Sequence, residues 1–251
     1  MVLLTNNNNC LTAAVPSRNV TDDIKATVEI INRDLASVAL VEEIREKAGD
    51  SEEPCYEVVS IPGKGRGMIA TKKLYPGDIV ISETPMIIVP DKVFDDAERM
   101  EGFLERKINA MNQEDRTRFM DMAYCRTVDS NQFDEYQYSG IFYTNAMNYA
   151  GDAALCPDIA RANHSCRPNA EFICRPDLGK MLLVVMYVVE PGQEININYM
   201  PMTEEGTDSR DVRQAFLRKW YGFQCLCSAC TLAVFYLEFN ILCSTFIFYS
   251  G

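Results

Sequence analysis

Hydrophobic and polar positions change rhythm several times along the chain. Between Thr21 and Gly49, Ile24, Val28, Ile31, Leu35 and Val38 recur at spacings of four and three, the period of one apolar helix face. Thr21 can cap that helix, Asp22 and Asp23 suit its first turn, and Gly49 is a natural stop. From Cys55 the texture becomes short apolar runs broken by Gly and Pro: CYEVVSI, GMIATKKL, DIVISE and PMIIV. These read as strands, with YPGD (Tyr75–Asp78) as a turn between two of them. From about Phe94 to Tyr149 the pattern is helical, with Leu104, Ile108 and Met111 on one face of an early helix. Strand texture returns in AEFICR and in MLLVVMYVV (Met181–Val189), an unbroken apolar run that reads as a buried strand. Pro191 to Gln193 turns the chain into EININY, and a polar helix is expected from roughly Asp208 to Trp220. Short strands around a helical insert predict a β-rich α+β fold, not a doubly wound sheet.

Composition narrows the partners. A chain of 251 residues can bury one large domain with a small satellite. Its 36 Asp and Glu against 24 Lys and Arg leave a formal charge of −12. That argues against direct nucleic-acid binding, which needs a basic face, and suits a Lys/Arg-rich protein partner. The ten cysteines come without a secretory leader pattern, so thiols or metal ligands in a reducing, intracellular compartment, nucleus or cytoplasm, are expected. The last segment, LAVFYLEFNILCSTFIFYSG from Leu232, is long enough to raise a membrane span. Glu238 and Asn240 interrupt it and no basic cluster flanks it, so a packed end is favoured over an anchor.

Four stretches carry chemistry. In CLCSAC, Cys225, Cys227 and Cys230 stand close enough for the chain to curl around one tetrahedral Zn²⁺, one ligand short of a closed site. RANHSCRPN holds His164, the single histidine of the chain, two residues before Cys166. Three readings stay open there: a Cys–His nucleophilic pair, a missing metal ligand beside a pocket histidine, or a satisfied core imidazole. IPGKGRGMIA spaces Gly63, Gly65 and Gly67 at alternate positions after a strand, which suits a turn or a close approach of backbone to ligand. Lys64 and Arg66 within it point to something anionic. Finally, Tyr199 closes the alternating run Ile195–Tyr199, and its hydroxyl needs a partner if buried.

Taken in order, GKGRGMIAT, ANHSCRPNA, GQEININY and YGFQCLCSAC resemble the SET-domain family of protein-lysine methyltransferases, nearest its SET and MYND domain branch. The likeness runs from about Cys55 to Thr231. It implies a SET fold with a small C-terminal zinc-binding post-SET segment, and S-adenosylmethionine as methyl donor. It further implies Lys64, Gly65, Arg66, Asn145, Asn163, His164 and Phe223 as cofactor contacts, Tyr221 on the lysine channel and Tyr199 as the catalytic tyrosine. Cys166 becomes the fourth ligand of one structural zinc with Cys225, Cys227 and Cys230. The implied substrate is a lysine-bearing protein, histone or otherwise, methylated by a monomeric enzyme. A silent SET-like interaction module is the alternative.

The chain departs from the branch pattern in two respects, one being that from Leu232 onward the apolar tail stands where the branch has a C-terminal helical domain. Between Val89 and Asn145 only Cys125 appears, so the MYND zinc finger is not expected. The resulting division is a disordered start (1–20), an N-terminal helix (21–54), a SET domain (55–201) with a helical insert at about 94–150, a helix plus post-SET segment (202–231), and the apolar tail (232–251).

Overall fold

The computed structural model describes residues 54–94, 96–125, 136–200 and 209–231. The predicted helix at Thr21–Gly49 and the tail from Leu232 lie outside them. Among the described residues no helix is long and apolar enough to cross a membrane.

Among the described residues ten strands form three small sheets. The first orders β1 (Tyr56–Ile61), β2 (Gly65–Ala70), β10 (Glu194–Ile197) and β7 (Asn163–His164). The second is β3 (Ile79–Glu83), β9 (Lys180–Val185) and β8 (Ala170–Arg175), and the third is β4 (Ile87–Val89), β6 (Asp152–Leu155) and β5 (Met147–Tyr149). In the second sheet Met181, Leu182, Leu183 and Val185 are all fully buried, as their unbroken apolar run predicts. Burying each such side chain stabilises the fold by about 1.5–3 kcal/mol.

That run nevertheless ends as a strand at Val185, four residues short of the expectation. The amides of Met186 and Tyr187 donate to the Asn169 carbonyl, at 2.8 and 3.3 Å, and pull the chain off the ladder. Tyr187 and Val188 then face solvent, while Val189 returns to bridge Leu74. Hydrophobicity favours a strand up to Val189, and hydrogen bonding decides where it stops.

Helices α1 (Asp91–Phe94), α2 (Ala97–Asn109), α3 (Gln113–Met120) and α4 (Gln137–Asn145) make the insert. Asp96 caps α2 by accepting from the Arg99 amide, and Asn112 caps α3 by accepting from that of Asp115. Met100, Leu104 and Ile108 form the buried face of α2, packed with Phe119, Ile141 and Phe142 into a core of their own. Met111, read as part of that face, packs only partly buried against it. β5 overturns the helical reading of Met147–Tyr149, because three residues there pair antiparallel with β6. Such short strands, β7 included, lack the alternation that would mark them in sequence.

The last helix, α5 (Arg210–Tyr221), starts on a Ser209 cap and stops at Gly222, whose φ of +71° is left-handed. A side chain there would also press on Cys125, its Cβ falling 2.9 Å from the sulfur. The chain then turns back towards β7 and β10.

Candidate active site and metal centre

The site is built where β7 lies parallel to β10, pairing Asn163 with Asn196 and His164 with Ile197. This pairing sets His164 below the end of β10, where Tyr199 follows. The Tyr199 amide donates to His164 Nδ1 at 3.0 Å, and the Tyr199 hydroxyl donates to the Ala162 carbonyl at 2.8 Å. Burial pushes the Tyr199 phenol up, with Tyr221 and Glu194 adding to the shift, so it stays protonated at neutral pH. Burial also pushes His164 down to about 4, which leaves a neutral ring.

Four aromatic rings gather there. Tyr199 and Tyr221 have centroids 4.9 Å apart, His164 lies 5.4 Å from Tyr199 and 6.0 Å from Phe223, and Tyr221 and Phe223 are 6.3 Å apart. The Tyr221 hydroxyl donates to the Tyr199 carbonyl at 3.3 Å. Residues separated by more than 50 positions thus share one wall, because α5 and Gly222 fold the C-terminal segment onto β10.

The sulfurs beneath them complete the arrangement. Sγ atoms of Cys166, Cys225, Cys227 and Cys230 all lie within 4.8 Å of one another. Those of Cys225 and Cys230 are 3.9 and 3.6 Å from Cys166. A tetrahedral thiolate site with metal–sulfur bonds of about 2.3 Å sets its sulfurs about 3.8 Å apart. The donor set therefore fits a metal ion, and the eight described cysteines form no disulfide. Hydrogen bonds from Cys166 and Cys225 hold the Cys227 thiol low, while hydrogen bonds with Cys225 and Cys227 push the Cys166 thiol up.

Donors surround the sulfurs. Gln214, 6% exposed, clamps Cys225 at both ends: its amide nitrogen donates to the Cys225 carbonyl at 2.7 Å, and its oxygen accepts from the Cys225 amide at 3.0 Å. Arg213 donates to the Ala229 carbonyl at 3.3 Å and lies 3.8 Å from Cys230 Sγ. His164 Nε2 is 3.4 Å from Cys166 Sγ. With Cys166 inside the sulfur cluster, the Cys–His nucleophile loses its free thiol.

The glycine turn and β7 meet through Glu194. Its carboxylate accepts from Lys64 Nζ at 2.5 Å and from Asn163 Nδ2 at 2.9 Å. Gly67 explains the third glycine of the motif: a methyl at 67 would fall on Asn163 Nδ2 and within 2.8 Å of Ile61. Gly63 and Gly65 serve the turn itself, at φ of +74° and +77°. Arg66 reaches the end of α3, donating to Asp121 Oδ2 at 2.5 Å and to its carbonyl at 2.7 Å.

Asn145 stands apart from the rings. Its side-chain amide donates to the Ala123 and Ile141 carbonyls, each at 2.7 Å. The adjoining Cys125 amide donates to Thr144 Oγ1 at 3.2 Å, and Cys125 abuts Gly222, so one short segment joins the end of α4 to the post-helix turn. Sequence reading missed Glu194 and Gln214. Glu194 shares a strand face with Asn196, a readable signal; Gln214 had none, since a glutamine on a polar helix reads as solvent-facing.

Comparison with known proteins fits this geometry. Residues 65–200 match the SET domain family, and the chain belongs to it. It is 30% identical over 184 residues, 72% of its length, to the histone-lysine N-methyltransferase set5 of Schizosaccharomyces pombe, and spans 52% of that protein. A SET domain-containing protein of Acanthamoeba polyphaga mimivirus is 27% identical over 222 residues, 77% of this chain and 85% of that one. Human N-lysine methyltransferase SMYD2 matches at 33% over 79 residues, 32% of this chain and 17% of that protein. The chain spans about half the length of its fission-yeast relative.

Proposed function

We propose that this chain is a protein-lysine N-methyltransferase that uses S-adenosylmethionine, with one structural Zn²⁺ on Cys166, Cys225, Cys227 and Cys230. The observation that carries the reading is the sulfur cluster, which brings Tyr221 and Phe223 over His164 and Tyr199. Four thiolate ligands leave no open position, so the metal would hold the segment in place and take no part in the transfer.

S-adenosylmethionine, when bound, supplies a methyl group on an electrophilic sulfonium. The chain supplies alignment and dehydration. A lysine amine, with a reference pKa of ~10.4, must lose its proton to attack. A lysine channel lined by Tyr199 and Tyr221, whose rings stand 4.9 Å apart, would be apolar and would disfavour the ammonium. Tyr199 is no base, because its phenol keeps its proton and donates it in a hydrogen bond to the Ala162 carbonyl. The lone pairs left on its oxygen orient the incoming amine for in-line displacement, which is where alignment yields rate. Phe223 would offer a stacking face for the adenine, and Asn163, Asn145 and the glycine turn of Lys64, Gly65 and Arg66 would be the residues that hold the donor.

On this reading residues 55–201 are the SET domain, 202–231 a helix plus the post-SET segment, and the enzyme acts as a monomer in nucleus or cytoplasm. A charge of −12 favours a basic substrate segment such as a histone tail. The test is transfer of labelled methyl from S-adenosylmethionine to mixed histones by the purified chain. Tyr199→Phe should slow transfer roughly a hundred-fold with bound zinc unchanged. Undiminished turnover in that variant removes Tyr199 from the mechanism, and a chain that never binds S-adenosylmethionine ends the proposal.

A further inference from the structure

We infer that His164 is a positioning residue, an imidazole strut that ties the metal cluster to the backbone of Tyr199. The inference rests on the proposed metal centre and assigns this ring a task other than touching the cofactor.

Both ring nitrogens are already engaged. A backbone amide can only donate, so the Tyr199 N–H at 3.0 Å requires a lone pair on Nδ1. In a neutral ring the proton then sits on Nε2, which is 3.4 Å from Cys166 Sγ. A metal-bound thiolate accepts and does not donate, so metal loading turns this contact into an N–H···S hydrogen bond of one polarity. His164 is 4% exposed, which shuts out water as a substitute partner. Any cofactor contact made by His164 therefore falls to its main chain.

Two other sulfurs have donors of the same kind. The Cys227 amide lies 3.5 Å from Cys225 Sγ, and Arg213 Nη2 lies 3.8 Å from Cys230 Sγ. Arg213 also donates to Cys166, and of these donors His164 is the one that reaches the backbone of Tyr199. Through it a change at the metal reaches the amide of Tyr199, whose hydroxyl is itself held on Ala162.

The chain has one histidine, so ¹⁵N labelling yields one imidazole spectrum without assignment. In the full chain loaded with ¹¹³Cd²⁺, the ring should be the Nε2–H tautomer, with a scalar coupling between that proton and cadmium carried through sulfur. An Nδ1–H tautomer, or a ring spectrum identical with and without metal, overturns the strut. Two variants split its ends. His164→Gln can return an N–H donor to Cys166 and gives up the acceptor for Tyr199; His164→Asn does the reverse. In competition against a chelator, His164→Asn should hold metal roughly ten- to a hundred-fold more weakly than His164→Gln. Equal affinities in the two variants contradict the inference. A cadmium-loaded chain that shows the coupling but transfers no methyl group leaves the strut standing and defeats the enzyme reading.

Discussion

The strand core and the C-terminal segment hold together by different physics. In the core, β9 presents Met181, Leu182, Leu183 and Val185 fully buried between β3 and β8. Among the described residues from α5 onward, the buried apolar ones are Leu217, Cys225 and Cys230, with partly buried rings around them. The first region is stabilised by area removed from water, which is non-directional and tolerant. The second depends on a few directed contacts: the Gln214 clamp, the Arg213 donor and four convergent sulfurs. The half of the site that carries Tyr221 and Phe223 is therefore the half with the least burial to fall back on.

The largest effect should come from removing the proposed metal. Structural zinc contributes apparent folding energies of about 10–16 kcal/mol in small zinc-dependent folds. Chelation, or Cys227→Ser, should strip hydrogen-exchange protection from the Cys225 and Cys230 amides, which donate to Gln214 and Cys227. The amides of β9 should keep theirs. Simultaneous loss in both regions would erase the contrast.

Leu183→Ala reverses the arrangement. Truncating a fully buried leucine should cost about 2–5 kcal/mol in urea unfolding, with metal content per folded chain unchanged. A fall in metal stoichiometry would mean that the two regions unfold as one. The smallest effect belongs to Gln214→Ala, which leaves both main-chain groups of Cys225 without their partner. It should cost about 1–3 kcal/mol locally, seen as faster exchange at the Cys225 amide, while the urea midpoint of the core stays put.

Much of this was legible in the residues themselves. AEFICR is β8 from end to end, and the turn at Tyr75–Asp78 closes as read, the Asp78 amide donating to the Tyr75 carbonyl. α2 shows its face in the spacing of Leu104 and Ile108. The convergence of Cys166 on the distant triplet was one of three readings of the residues, and likeness to a family selected it, because spacing along the chain carries no information about a gap of 59 residues. β5 and β7 were invisible, since two or three residues set no period.

By itself the sequence determined which residues could be buried, where glycine must turn the chain, and which side chains bear sulfur, imidazole or phenol. Those are local properties, written in composition and periodicity. Tertiary structure alone decided that Glu194 would join Lys64 to Asn163, that Gln214 would face inward, and that both nitrogens of His164 would be occupied. Each of these is a meeting between elements far apart in the chain. A hydrogen bond needs partners within about 3 Å, a condition only the folded geometry can meet.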